Sequence, residues 1–173
     1  LAIIRVGERP DDCSYERGAT KKMDKVGFDC TSYVFPQDIT DEEFQKEFDK
    51  INNDDNIDGI LLLRPLPKHI NEKAIEERIN PVKDLDGISP VNLAKVYAGD
   101  VNGFAPCTAE AVIEMLDYAG IDLTGKRVTV VGRSLVIGKP VAMMLMKKNA
   151  TVTVCHTKTK DMAGTCRNAE VLV

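Results

Sequence analysis

Leu1 to Val6 is apolar except at Arg5, the pattern of a buried strand, and Gly7 to Pro10 closes it as a loop. Residues 12–26 scatter apolar positions among polar ones and read as a helix, with Gly27 as its stop. Residues 29–35 read as a second strand, ended by Pro36. Thr40-Asp-Glu-Glu43 has the form of a capping box, in which hydroxyl and carboxylate satisfy backbone N–H groups at a helix start; Phe44, Phe48 and Ile51 follow at helical spacing. Ile57 to Leu63 is a short apolar run, as expected of a strand buried on both faces, and Arg64-Pro-Leu-Pro67 breaks it. Residues 71–79 form a short helix.

The stretch 80–107 carries no clear periodicity and is expected as a long loop, a feature that usually serves function. Thr108 is expected to cap a helix reaching Tyr118, ended by Gly120. Arg127–Val131 reads as a strand, Gly138 to Lys148 as a helix, Thr151–Cys155 as a strand, 160–168 as a helix and 170–173 as the start of another strand. Strands alternating with helices predict βαβ units and parallel sheets. The fold class is therefore α/β with two domains. The expected division is 1–107, a connecting helix over 108–119, and 120–173.

Composition narrows the functional classes. The 173 residues are 43% hydrophobic and 29% charged, with a net charge of −4; this is the profile of a globular protein without a general attraction to nucleic acid. No apolar run approaches the ~20 residues that a membrane helix needs. The five cysteines are odd in number and include no CxxC pair. They predict buried, inert thiols in a reducing compartment, with neither disulfide nor metal site. The chain opens without Met and ends on Val171-Leu-Val173, so it is expected to be a piece of a longer protein. A cytoplasmic location is expected, and the missing start leaves an organellar leader open.

The chemistry-bearing motif lies at Val130-Val-Gly-Arg-Ser-Leu-Val-Ile-Gly-Lys-Pro140, between a strand and a helix. A tight turn there directs the N–H groups and dipole of the helix start at a phosphate. The pattern departs from GxGxxG: Ser134 replaces the middle glycine and Gly138 falls one residue late. The next strand ends Cys155-His-Thr-Lys158. It lacks the carboxylate with which NAD sites bind the ribose 2′-hydroxyl. Arg133 and Lys158 instead suit a 2′-phosphate, so NADP is the expected cofactor.

Several stretches, in this order, resemble the methylenetetrahydrofolate dehydrogenase/cyclohydrolase family. They are Val6-Gly-Glu-Arg-Pro10, Asp58-Gly-Ile-Leu61 with Pro65-Leu-Pro67, Lys83-Asp-Leu-Asp-Gly87, Pro106-Cys-Thr108, Val131-Gly-Arg-Ser134 with Gly138-Lys-Pro140, and His156-Thr-Lys-Thr159. The resemblance covers the whole chain. It implies a folate-binding N-terminal α/β domain, a Rossmann-like NADP domain that continues past Val173, and roughly one helix before Leu1. It further implies hydride transfer from the folate's methylene carbon, tetrahydrofolate derivatives as ligands, and a homodimer. By the same resemblance Tyr15 stacks on the folate and Asp86 binds the pterin edge, with Leu62 and Leu63 beside the substrate. The implied cofactor residues are Gly132, Arg133, Ser134, Ile137, Gly138, Pro140, His156, Thr157 and Lys158.

Two departures matter. The family's catalytic lysine, four residues after the tyrosine, is Ala19 here, and its catalytic glutamine is Leu63. These groups serve the proton transfers of water attack on the methenyl carbon; hydride transfer depends mainly on placing two carbons in line. The expectation is a dehydrogenase that has lost the cyclohydrolase step. Two alternatives stay open: a bifunctional enzyme in which Lys21, Lys22 or Arg64 takes over, and a catalytically silent folate- or nucleotide-binding homologue.

Overall fold

The computed structural model describes residues 1–173, which divide into two compact units, Leu1–Pro90 and Val91–Val173. In the first, β1 (Ala2–Val6), α1 (Pro10–Val26), β2 (Thr31–Phe35), α2 (Asp41–Asn52), β3 (Ile60–Leu62) and α3 (Glu72–Arg78) follow in order. The sheet is parallel throughout, in the order β2-β1-β3. Side-chain alternation divides the central strand. Ala2, Ile4 and Val6 join Phe44, Phe48, Ile75 and Ile79 in the core on one face. Ile3 faces the opposite way, toward Ala19 and Met23 of α1. The predicted capping box is present: the Glu43 N–H donates to Thr40 Oγ1 at 3.2 Å and the Thr40 N–H to Glu43 at 3.2 Å. Gly27 ends α1 in the left-handed conformation.

The second unit contains most of α4 (Pro90–Ala98), then α5 (Cys107–Tyr118), β4 (Arg127–Val131), α6 (Gly138–Lys147), β5 (Thr151–Cys155), α7 (Met162–Arg167) and β6 (Val171–Leu172). Its sheet is also parallel, ordered β5-β4-β6. Val128 and Val130 of β4 meet Ala109 and Ile113 of α5 and Val141 and Leu145 of α6 in one core. A Lys148–Asp117 ion pair of 2.6 Å ties the end of α6 to α5.

Four expectations need correction. Residues 80–107 are not one loop: α4 lies within them, with Pro90 at its first position and Gly99 beyond its end at φ 71°. Residues 91–105 also fold with the second unit, although the sequence assigned them to the first domain. Asn92 Oδ1 accepts the Phe104 N–H at 3.2 Å, and Val96 and Gly99 line a cavity with Met144 and Lys147 of α6. Thr108 does not cap α5, which begins at Cys107 after Pro106 with no side-chain cap. The thiols are free, but only Cys155 is buried; Cys107 is exposed and the others are intermediate. No helix is long and apolar enough to cross a membrane.

Candidate functional site

In a parallel sheet ordered β2-β1-β3, the connections leave β1 in opposite directions and a crevice opens at the carboxyl ends of β1 and β3. The loop after β1 leads into α1, which carries Tyr15 on its second turn. The Tyr15 side chain is 57% exposed, too open for a core residue. One turn on, Ala19 lies over a small apolar hollow with Ile3, Met23, Cys30, Leu61 and Leu85. The Leu63 N–H donates to Ile4 O at 2.9 Å, so the ladder runs past β3 and alternation puts Leu63 on the α1 face with Leu61. Leu63 is buried. Leu62 corrects an expectation: its side chain belongs to the core on the other face, which leaves only its backbone beside the crevice.

A polar frame holds the loop after β3. Arg9 grips Asp12 through two bonds of 2.9 and 2.6 Å and donates to the carbonyls of Arg64 and Pro65, each at 3.3 Å. The Arg64–Pro65 peptide is cis. The Leu66 N–H donates to Glu72 at 2.8 Å. Arg64 itself faces α3: its Nη1 lies 2.8 Å from Glu76 and 3.5 Å from Glu72, and its Nη2 lies 4.0 Å from Asp86. Burial pushes the Glu76 carboxyl above its ordinary range; Arg64 opposes that shift, and Glu72 and Glu77 add to it. Sequence reasoning missed Arg9, Asp12, Glu72 and Glu76. Arg9 could have been noticed inside the Val6–Pro10 motif, but its partners are set by tertiary contact.

The Lys83-Asp-Leu-Asp-Gly87 motif separates into structural and exposed parts. Lys83 is buried and donates to the carbonyls of Asn52 and Asp54 at 3.1 and 2.8 Å, closing the end of α2. Asp84, fully buried, accepts the N–H groups of Ile88 and Ser89 at 3.0 and 2.8 Å. Asp86 keeps about a third of its side chain exposed, beside Arg64.

The lysines that might stand in for Ala19 lie elsewhere on α1. Lys21 lines a groove with Arg5, Glu16, Thr20 and Asp24, away from the Ala19 hollow. Lys22 is exposed and shares the Tyr15 stripe, seven residues on and about 10 Å along the axis.

In the second unit the strand order again opens a crevice at the carboxyl end of its central strand, β4. The Gly132 N–H donates to Cys155 O at 2.9 Å and the Val131 N–H to Val173 O at 2.8 Å, fixing the start of the turn. Gly132 has φ 137°, which only glycine adopts readily. A Cβ at Gly138 would collide with the Gly132 backbone, so the helix start and the turn approach as only glycine allows. Ser134 Oγ accepts the N–H groups of Ile137 at 3.1 Å and Gly138 at 3.4 Å. Pro140 is buried in the first turn of α6, and Ile137 is exposed.

Across from this turn, the loop after β5 is folded by its own polar groups. The His156 N–H donates to Thr159 Oγ1 at 2.9 Å, and His156 Nδ1 accepts the Lys158 N–H at 3.1 Å. His156 is half-buried, whereas Thr157, Lys158 and Arg133 are exposed. Val131 pairs with Cys155, so Arg133 and residues 156–158 emerge from adjacent strand ends. The structure thus gathers the expected nucleotide residues at one helix start and one neighbouring loop. Tyr15, Ala19, Leu63 and Asp86 belong to the other unit.

Residues 1–86 match the profile of the tetrahydrofolate dehydrogenase/cyclohydrolase catalytic domain, and residues 106–173 match that family's NAD(P)-binding domain. The bifunctional protein FolD of Clostridioides difficile (strain 630) is 50% identical over all 173 residues, which span 60% of that relative. Among solved structures, the bifunctional FolD of Campylobacter jejuni is 38% identical with a TM-score of 0.96, over 99% of this chain and 61% of that one. The Trypanosoma brucei methylenetetrahydrofolate dehydrogenase-cyclohydrolase, solved with NADP and an inhibitor, is 36% identical with a TM-score of 0.94, over 100% of this chain and 59% of that one. The chain therefore spans about three fifths of the length of these relatives. With both domain profiles matched in order and the fold shared along its whole length, the chain belongs to the tetrahydrofolate dehydrogenase/cyclohydrolase family.

Proposed function

We propose that the protein oxidises 5,10-methylenetetrahydrofolate to the 5,10-methenyl cation with NADP and gives little acceleration to the hydrolysis that follows. The carrying observation is the surface beside Tyr15, where Ala19 and Leu63 present only apolar side chains around Ile3, Leu61 and Leu85. Tyr15 offers an aromatic face for the folate, and Asp86 a carboxylate for the N–H donors of the pterin edge. The Gly132–Gly138 approach and the Ser134 cap fit a pyrophosphate at the start of α6, with Arg133 and Lys158 near enough in sequence and strand pairing to meet a 2′-phosphate. NADP, when bound, supplies the hydride acceptor. The protein's part is to hold the two reacting carbons in line and exclude water.

Hydrolysis of the methenyl cation asks for proton transfer, which alanine and leucine do not provide. Arg64 does not replace the missing lysine: a guanidinium stays protonated, and this one is engaged with Glu72 and Glu76. The competing reading is a fully bifunctional enzyme. It is favoured by the bifunctional description of the 50%-identical relative and by the position of Lys22 on the Tyr15 stripe. A two-wavelength assay of the full-length protein separates them, following NADPH appearance and methenyl decay together. The expected result is NADPH formation with methenyl decay at the uncatalysed rate. Rapid methenyl decay abolished by Lys22→Ala would establish the second reading.

A further inference from the structure

Arg64 stands where the crevice loop, α3 and the loop bearing Asp86 meet, and no role in the reaction requires it so far. Its guanidinium is 15% exposed. Nη1 is anchored by Glu76 and Glu72, and Nη2 faces the Asp86 carboxylate at 4.0 Å. Nε is buried without a partner. The geometry is therefore one in which both terminal nitrogens are committed at the expense of the third donor. Arg9 fixes the backbone of the same residue through its carbonyl. A cation held this firmly between one side chain of a loop and two of a helix acts as a fixed clamp on the third carboxylate, Asp86.

We propose that Arg64 is a positioning residue for Asp86, holding that carboxylate ionised and oriented to receive the pterin edge of the folate. The inference rests on the proposed pterin role of Asp86. Three carboxylates converge on this one guanidinium, Glu72 and Glu76 from α3 and Asp86 from the loop. The other charged groups of that loop are engaged elsewhere: Lys83 with the carbonyls at the end of α2, and Asp84 with the backbone of Ile88 and Ser89. Without Arg64, Asp86 would face two like charges and no local cation, a setting that favours its protonated form. A protonated Asp86 carries its own donor and no longer accepts two N–H bonds.

The test is steady-state kinetics of the full-length protein with Arg64→Met, Arg64→Lys and Asp86→Ala, each alone, and Arg64→Met combined with Asp86→Ala. Arg64→Met is expected to raise the folate KM by ~10- to 100-fold, the scale of a lost charge-assisted bond, with the KM for NADP unchanged. Its acid limb of kcat/KM for folate moves to higher pH, because binding then fails before the carboxylate is fully protonated in the parent protein. Arg64→Lys restores the position of the acid limb while recovering only part of the KM, since an ammonium keeps the charge but not the fork. In the Asp86→Ala background, Arg64→Met has little further effect. If Arg64→Met misfolds, shown by loss of NADP binding, Arg64→Lys still decides: a folate KM equal to the parent's overturns the proposal. An unmoved acid limb in a folded Arg64→Met protein also overturns it, as does an undiminished effect of Arg64→Met in the Asp86→Ala background. If Asp86→Ala alone leaves the folate KM unchanged, the pterin role of Asp86 fails and this inference falls with it. If Asp86→Ala raises the KM and Arg64→Met does not, only the inference falls.

Discussion

Ala19 and Leu63 are small changes in composition with a specific chemical consequence. Each removes a hydrogen-bonding group from the α1 face of the first sheet, and each is filled in by apolar contact rather than left as a gap. Restoring the groups is therefore a sharper test than removing more. Ala19→Lys with Leu63→Gln should raise methenyl hydrolysis ~10²-fold or more above the parent, the lower range for one positioned acid–base group. Either change alone should give much less, because the two act as a unit. Parallel rates of methenyl decay in the four proteins check this. A double variant that still transfers hydride but hydrolyses no faster would mean that these positions do not face the reacting carbon. The surroundings also set a cost: a lysine at 19 must carry its ammonium past Ile3, Leu61 and Leu85, so some loss of stability is expected.

At the scale of elements, α2 and α3 are joined at their starts by Asp41. Its Oδ1 accepts the Asn71 N–H at 2.8 Å and the Gln45 amide at 3.0 Å. The Asn71 bond foremost, then the Gln45 bond, holds the Asp41 carboxyl below its ordinary range, against a smaller opposing effect of burial. A carboxyl depressed by folding adds stability above its unfolded-state pKa, and that stability is lost as pH falls through the folded-state value. Asp41→Asn should thus lower stability near neutral pH by about 1 kcal/mol, little because the group is partly exposed. The gap to the parent should close under acid conditions. Denaturant midpoints across that range provide the measurement, and a gap independent of pH would show that the lost charge is not responsible. The position matters for function because α3 also carries Glu72 and Glu76, which hold Arg64.

At the scale of the whole molecule, two units of different sequence repeat one topology, each a parallel sheet with its first strand in the centre. The same right-handed βαβ geometry therefore produces a crevice at a central strand end twice. In the second unit that crevice meets a glycine turn and two exposed cations, Arg133 and Lys158. NADP should be used with a higher kcat/KM than NAD. Arg133→Ala should weaken NADP by about 1–3 kcal/mol, the range of a charge-assisted hydrogen bond, with a smaller effect on NAD. Equal losses for both cofactors in paired assays would mean that Arg133 does not meet the 2′-phosphate.

Local pattern alone was enough for most elements, because each carries its own start, period and stop. Thr40–Glu43 capped α2 as written, Gly27 ended α1 in the left-handed region, and Arg127–Val131 and Thr151–Cys155 are strands at the predicted bounds. The α/β class and the glycine turn before α6 followed from the same signals. Helix α4 was legible in principle, from Pro90 inside its start and Gly99 past its end, but its buried side includes Asn92, which no apolar periodicity reports. What the sequence could not determine was which face each side chain serves and which distant groups it meets. Leu62 and Leu63 are alike in chemistry, yet the strand's alternation sends Leu62 into the core, while Leu63 falls on the α1 face. Arg64 reads as a loop arginine until folding brings Glu72, Glu76 and Asp86 around it, because long-range proximity is a property of the packed chain and not of any segment of it.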